Sequence, residues 1–201
     1  SLSAFGPMSI DMYLPAFPAL EAAFTTSPGM VAYTLSAFFI GLALGQLVYG
    51  PLADRFGRKP PLLVGLALYV LASVGCAFAT SIEALIALRA LQAFGACAGL
   101  VMSRAMVRDL FAVQDSARVF SLLILVMGVA PIVAPFLGSL VLAHAGWPGI
   151  FWALAAFGAA VAAAVVAWLP ETHPPERRTA LGLGAIARVY GGLLANRAFL
   201  G

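Results

Sequence analysis

Residues 50–59 read GPLADRFGRK, and this decapeptide carries four formal charges: Asp54, Arg55, Arg58 and Lys59. The stretches it joins, Met30–Ala53 and Pro60–Ile82, contain no Asp, Glu, Lys or Arg. A helix needs about 20 mostly apolar residues to cross a hydrocarbon core of about 30 Å. Both stretches meet that length, so the charged decapeptide reads as a short loop outside a membrane. The same test passes four more windows. Leu2–Leu20 contains Asp11, Ala84–Ser103 contains Arg89, Val119–Ala145 has only His144 near its end, and Trp147–Leu169 is uncharged. The connections TTSPG (25–29), TSIE (80–83) and HAGWPG (144–149) are ordinary turn chemistry. After Leu169 the sequence LPETHPPERRTALGLG turns polar and proline-rich, and 170–201 reads as an exposed linker. Within it, residues 180–195 are small and apolar, which fits an interfacial helix on the inner leaflet. The expected fold is an all-α membrane protein: a bundle of six transmembrane helices over residues 1–169, then the linker.

Composition agrees. Of 201 residues, 63% are hydrophobic and 9% charged, whereas a soluble domain is about 25% charged. Such a surface must face lipid. The net charge of +3 is not a nucleic-acid signal, because the basic residues are sorted by connection. Arg55, Arg58 and Lys59 follow the second window; Arg104, Arg108 and Arg118 flank the junction of the fourth and fifth; Arg177, Arg178, Arg188 and Arg197 follow the sixth. The positive-inside rule places these junctions, the N-terminus and residues 170–201 in the cytoplasm. Trp147 and Trp168 then fall at the outer and inner boundaries, where aromatic belts form. The chain begins inside an apolar segment, so its first span is expected to start before Ser1. Cys76 and Cys97 lie in apolar runs and read as free thiols acting as small hydrophobes. No disulfide, metal site or cofactor is expected.

Asp11 and Arg89 are the two formal charges inside the six windows. Each costs about 2.5–3.5 kcal/mol at the bilayer centre on insertion scales, and such residues face a bundle interior or a watery cavity. For Asp11 the bland alternative is a hydrogen-bonded acid near a helix end. Arg89, Gln92, Gly95 and Gly99 share one helical face. Arginine keeps its proton at every accessible pH, so Arg89 needs an acceptor. That acceptor is Asp11, backbone carbonyls or a group outside this chain. The pairs Gly41/Gly45 and Gly95/Gly99 are G-x-x-x-G spacings and read as close helix packing. Around Asp11 the stretch SIDMYLPAFP contains Pro15 and Pro18, which remove backbone donors. A membrane helix tolerates that beside neighbours or a cavity that re-satisfies the freed carbonyls. Tyr13 and Phe17, four residues apart, line such a cavity or pack as ordinary aromatics. Gln92 and Gln46 are further candidates for its lining.

The loop GPLADRFGRK, with Gly50, Asp54, Arg55, Gly57, Arg58 and Lys59, resembles the signature between the second and third spans of the major facilitator superfamily. RALQAFG (89–95) resembles the family's fourth-span pattern, with Ala93 where glycine is usual. GVAPIVAPFLGS (128–139) resembles its antiporter motif through Gly128, Pro131, Pro135 and Gly138, with Ala134 and Ser139 replacing two common glycines. With DMYLPAFP and LPETHPPERR, the set is similar to the bicyclomycin- and chloramphenicol-resistance branch of drug:proton antiporters.

The resemblance implies a twelve-helix transporter of two six-helix halves, each a 3+3 inverted repeat with its site near the midplane. This chain would supply the N-terminal half, and its partners would be the C-terminal six helices, protons, lipid and a small amphipathic substrate such as an antibiotic. Nucleic acid is not among them. Spans one and four are equivalent under the repeat, which makes Asp11 and Arg89 the implied proton-coupling pair. Residues 50–59 are implied to gate the cytoplasmic side, with Asp54 facing a helix N-terminus of the other half. The implied activity is proton-driven drug efflux by alternating access, in a bacterial plasma membrane. A metabolite exporter or importer on the same scaffold is the alternative, and a non-transporting membrane scaffold is the reading from another class. An enzyme is not expected: His144 and His173 are the only histidines, and H-E-x-x-H is absent.

Overall fold

The structure, a computed structural model, describes residues 2–110 and 113–172. All of the regular structure there is helical. After a 3-10 turn at Leu2–Ala4 come α1 (Phe5–Asp11), a second 3-10 turn (Leu14–Ala16), α2 (Phe17–Phe24), α3 (Pro28–Phe56), α4 (Lys59–Ala77), α5 (Ile82–Leu110) and α6 (Val113–Trp168). Four of these segments are long and apolar enough to cross a membrane: α3, α4, α5 and Arg118–Trp168 of α6.

The expected first window is a helix in pieces, and its prolines explain why. Pro15 and Pro18 offer no N–H, so regular i to i−4 bonding cannot pass through them. The chain answers with tighter bonds: Tyr13 N donates to the Ile10 carbonyl at 3.2 Å and Ala16 N to the Tyr13 carbonyl at 3.0 Å. Because Tyr13 N turns to Ile10, the Ser9 carbonyl is left without the donor a continuous helix would give it.

Elsewhere the windows hold, with shifted ends. The fourth runs on to Leu110, so Arg104 and Arg108 sit on exposed helical turns and not in a loop. The third stops at Ala77, five residues short of the expected end. α6 covers the fifth and sixth windows in one run, broken at Gly146, whose φ of 65° and ψ of −174° are non-helical. Only glycine enters that region at low cost. Pro148 then withholds a donor two residues later. Residues 173–201, with the expected interfacial helix and Arg177, Arg178, Arg188 and Arg197, lie outside the described residues.

α5 is the central element, packed on α3 and α4, which meet each other little. Small residues set these distances. A Cβ at Gly45 of α3 would stand 2.6 Å from the Cβ of Cys97, and one at Gly95 of α5 2.6 Å from the backbone nitrogen of Tyr69 on α4. Both G-x-x-x-G pairs are therefore contact surfaces, as expected. Cys76 and Cys97 are buried free thiols. The outer surface is greasy: Ile132, Phe136 and Trp168 are 76%, 70% and 82% exposed. A contiguous apolar surface of this kind marks contact with lipid or another apolar partner.

Candidate functional site

Among the described residues, the largest fully buried side chain is charged. Arg89 has 0% exposure. Its Nη1 donates to Gln92 Oε1 at 2.6 Å and its Nη2 to the Ser9 carbonyl at 3.1 Å. The ring centroids of Tyr13 and Phe38 lie 4.4 and 4.3 Å from its guanidinium carbon. Backbone and side-chain acceptors plus π faces thus serve where a carboxylate was an alternative, and the carbonyl used is the one orphaned by the break after α1. A desolvated cation on an aromatic face is worth about 2 kcal/mol, and a hydrogen bond from a charged group about 1.5–3 kcal/mol. Together these offset much of the burial cost of the guanidinium. Its Nε is buried without a partner among the described residues.

The network extends from there. Gln92 Nε2 donates to Ser73 Oγ at 2.7 Å, and Ser73 Oγ to the Tyr69 carbonyl at 2.7 Å. The hydroxyls of Tyr69 and Ser9 are 2.7 Å apart, as are those of Tyr13 and Thr34. The broken first segment is thereby pinned to α3, α4 and α5. Ser9, Thr34, Phe38, Tyr69, Ser73 and Phe151 were not picked out from sequence. Serines and aromatics are common in membrane helices, and only the fold shows that these converge.

Asp11 ends α1, two residues after Ser9, and is half-buried. Both ion pairs among the described residues belong to Arg58; Asp11 and Arg89 are not joined. Tyr13 and Gln92 are fully buried inside the bundle, Phe17 is half-buried against the Tyr13 ring at 5.4 Å, and Gln46 is exposed on α3. These four do not form one surface. In the span-five motif, Gly128 and Pro131 are exposed, Pro135 is half-buried and Gly138 is buried. A Cβ at Gly138 would lie 2.8 Å from the Cα of Met12. That glycine lets α6 touch the break in the first segment.

The decapeptide forms a second polar cluster. α3 ends at Gly57, whose φ of 93° disfavours any residue with a Cβ. The chain then turns directly into α4. Arg58 Nη1 binds Asp54 Oδ1 at 2.7 Å and its Nε binds Asp109 Oδ2 of α5 at 2.8 Å. Burial alone would lower the affinity of Arg58 for its proton; the bonds and charges of Asp109 and Asp54 outweigh it and raise the pKa. Glu171 closes the cluster, accepting from Arg58 N at 2.8 Å and Lys59 N at 3.1 Å. With Pro60 and Pro61 next and Leu62 N bound to the Arg58 carbonyl, the first turn of α4 has no orphan amide. Asp109 and Glu171 were missed as partners. Asp109 is the one acid between residues 84 and 114, and Glu171 stands in the LPET stretch already singled out.

Buried fixed charge, a broken helix and a loop-centred ion cluster on an all-helical scaffold agree with a family comparison. The Major Facilitator Superfamily model matches residues 1–200. The chain belongs to the major facilitator superfamily. It is 42% identical over 202 residues to the uncharacterized MFS-type transporter YdgK of Bacillus subtilis, covering 100% of this chain and 50% of that protein. It is 39% identical to a bicyclomycin resistance protein homolog of Haemophilus influenzae, covering 94% of the chain and 48% of the relative. It is 41% identical to a chloramphenicol resistance protein of Pseudomonas aeruginosa, covering 83% and 40%. The chain thus spans about half the length of these relatives. The crystal structure of the human organic anion transporter MFSD10 (TETRAN) shares the fold, with a TM-score of 0.73 at 19% identity, over 94% of this chain and 50% of that one. As a facilitator-superfamily chain with resistance-protein homologues, it is a multi-pass protein of the bacterial plasma membrane and not a member of an enzyme family.

Proposed function

We propose that the chain is the N-terminal half of a twelve-helix, proton-coupled exporter of small amphipathic drugs. The observation that carries this reading is its 39% and 41% identity to a bicyclomycin resistance homolog and a chloramphenicol resistance protein, each aligned to less than half of its own length. Lengths support a reading of six crossings. At about 1.5 Å per residue, Arg118–Trp168 is about 75 Å long, more than two hydrocarbon thicknesses, and Gly146 supplies the turn. The pieces from Leu2 to Phe24 add one crossing of about 35 Å. In this reading the six crossings divide into two sets of three, as the inverted repeat of such transporters requires. Residues 1–169 form this bundle, and 170–201 lead to the second half.

In this reading Asp11 is the proton carrier, with Phe17 and Gln46 on the substrate side. Asp11 is half-buried, is in no ion pair among the described residues, and terminates a helix whose Ser9 carbonyl Arg89 grips. Arg89 contributes a fixed positive field and a fixed geometry, with Tyr13 and Gln92 holding it in place. The Asp54–Arg58–Asp109 cluster, with Gly50, Gly57, Arg55 and Lys59 around it, acts as the cytoplasmic latch between conformations. Gly138, with Pro135, lets α6 bear on the hinge beside Asp11, while Gly128 and Pro131 face outward. The test is drug tolerance conferred by the full-length protein in a pump-deficient bacterium. Tolerance should rise, collapse with an uncoupler, and vanish in Asp11→Asn. Tolerance that survives the uncoupler would overturn proton coupling, and full tolerance in Asp11→Asn would remove Asp11 from the role. Residues 1–201 alone should give no uptake in proteoliposomes.

A further inference from the structure

We infer that the groove between α3 and α4 beside the GPLADRFGRK loop is a binding site for one acyl chain of an anionic phospholipid, its phosphate held by Arg55. The inference goes beyond transport and needs only that this loop lies at a membrane face.

α3 and α4 both pack on α5 but scarcely on each other, and the gap between them leaves a cavity of about 460 Å³. That volume lies within the range of about 300–1,000 Å³ usual for small-molecule sites. Leu52 and Phe56 of α3 and Val64 and Leu68 of α4 line it, with the tilted rings of Tyr49 and Phe94, 5.2 Å apart, between them. The end of the groove nearest the loop also has no free backbone donor from residues 58–61. Pro60 and Pro61 line it and have no N–H, and Glu171 occupies the amides of Arg58 and Lys59. Hydrocarbon can therefore lie along a groove whose lining side chains are apolar apart from the Tyr49 hydroxyl.

Charge selects the headgroup. Of the three cations in the loop, Arg58 is committed to Asp54 and Asp109, and Lys59 Nζ donates to the Val166 carbonyl at 3.3 Å. Arg55 is exposed and is in no ion pair among the described residues. Its guanidinium stands 5.1 Å from the centroid of Phe56, a wall of the groove, which places the cation beside the mouth. A planar guanidinium binds a phosphodiester in bidentate fashion. A phosphatidylglycerol headgroup brings one negative charge and no cation, whereas phosphatidylcholine brings an ammonium group to the same place. A basic residue near an anionic lipid contributes about 1 kcal/mol, which is about a fivefold preference.

The test is native mass spectrometry of the chain in mild detergent, titrated with phosphatidylglycerol and phosphatidylcholine of identical acyl chains. Phosphatidylglycerol should bind about fivefold more tightly. Arg55→Gln should erase that preference and Arg55→Lys keep most of it. Val64→Trp, at a 66% exposed position, should fill the groove and weaken both lipids. A phosphatidylglycerol with a photoreactive acyl chain should label residues between Leu52 and Leu68. Equal binding of the two lipids, an unchanged preference in Arg55→Gln, or label placed elsewhere would overturn the assignment. In the full-length protein, label missing from the groove because another segment covers it would overturn it as well.

Discussion

If Arg89 works by geometry, a lysine cannot replace it. Arg89→Lys keeps the charge but offers one ammonium where a planar fork reaches Gln92 Oε1 and the Ser9 carbonyl in different directions. The stack between Tyr13 and Phe38 is weakened at the same time. Losing one charged hydrogen bond costs about 1.5–3 kcal/mol, and the poorer aromatic contact adds about 0.5–1 kcal/mol. A total near 2–4 kcal/mol should lower the midpoint of thermal unfolding by about 4–16 °C for a chain of this length. Intrinsic tryptophan fluorescence of the chain in detergent would read it. The alternative role, counter-ion to Asp11, makes the opposite prediction, because lysine would preserve the pairing. A double-mutant cycle with Asp11→Asn separates the two. The geometric role predicts a coupling energy below about 0.5 kcal/mol, the scatter of independent sites. An Arg89→Lys midpoint within 1 °C of wild type (about 0.3–0.5 kcal/mol), or a coupling above about 1 kcal/mol, would refute the reasoning.

Three further substitutions probe separate features. Glu171→Ala should speed hydrogen exchange at the Arg58 and Lys59 amides by about 5–30-fold, matching the 1–2 kcal/mol of a lost helix cap; unchanged exchange would show that Glu171 does not hold the helix start. Gly57→Ala should cost about 1–2 kcal/mol, because φ is 93° there, and should lower the unfolding midpoint without altering groove binding of phosphatidylglycerol. Gly138→Val should destabilise by about 1–3 kcal/mol through overpacking on Met12, while Gly128→Val, with open space around it, should be neutral in the same unfolding assay.

How much of this was legible beforehand follows from what each feature depends on. Span positions depend on local hydropathy, and α3, α4 and α5 appear close to where the apolar runs place them. Their ends do not, because a helix can leave the membrane and continue into water with Arg104 and Arg108 exposed. The broken first segment was foreshadowed by Pro15 and Pro18, whose effect is local. Of the partners of Arg89, Gln92 was visible as its neighbour on one helical face, whereas Ser9 and Phe38 reach it from two other helices and carry no sign of their own. Charge suggested Asp11 for Arg89 and left backbone carbonyls as an alternative; the Ser9 carbonyl, two residues before Asp11, takes the bond. The family resemblance was readable because GPLADRFGRK combines glycine geometry with an ion cluster, and each constrains residue type.

The hydrogen bonds from Arg58 and Lys59 to Glu171 join positions 113 and 112 residues apart. That separation has a consequence for biosynthesis. At about 5–20 residues per second, a ribosome needs about 6–22 seconds between making the start of α4 and supplying the carboxylate that caps it. During that interval the leading amides of α4 stay open to water, and the helical chain through α5 and α6 has still to follow. Closure by Glu171 is thus a late event in assembly. It marks the moment when the bundle is complete enough to bring the end of α6 back to the beginning of α4.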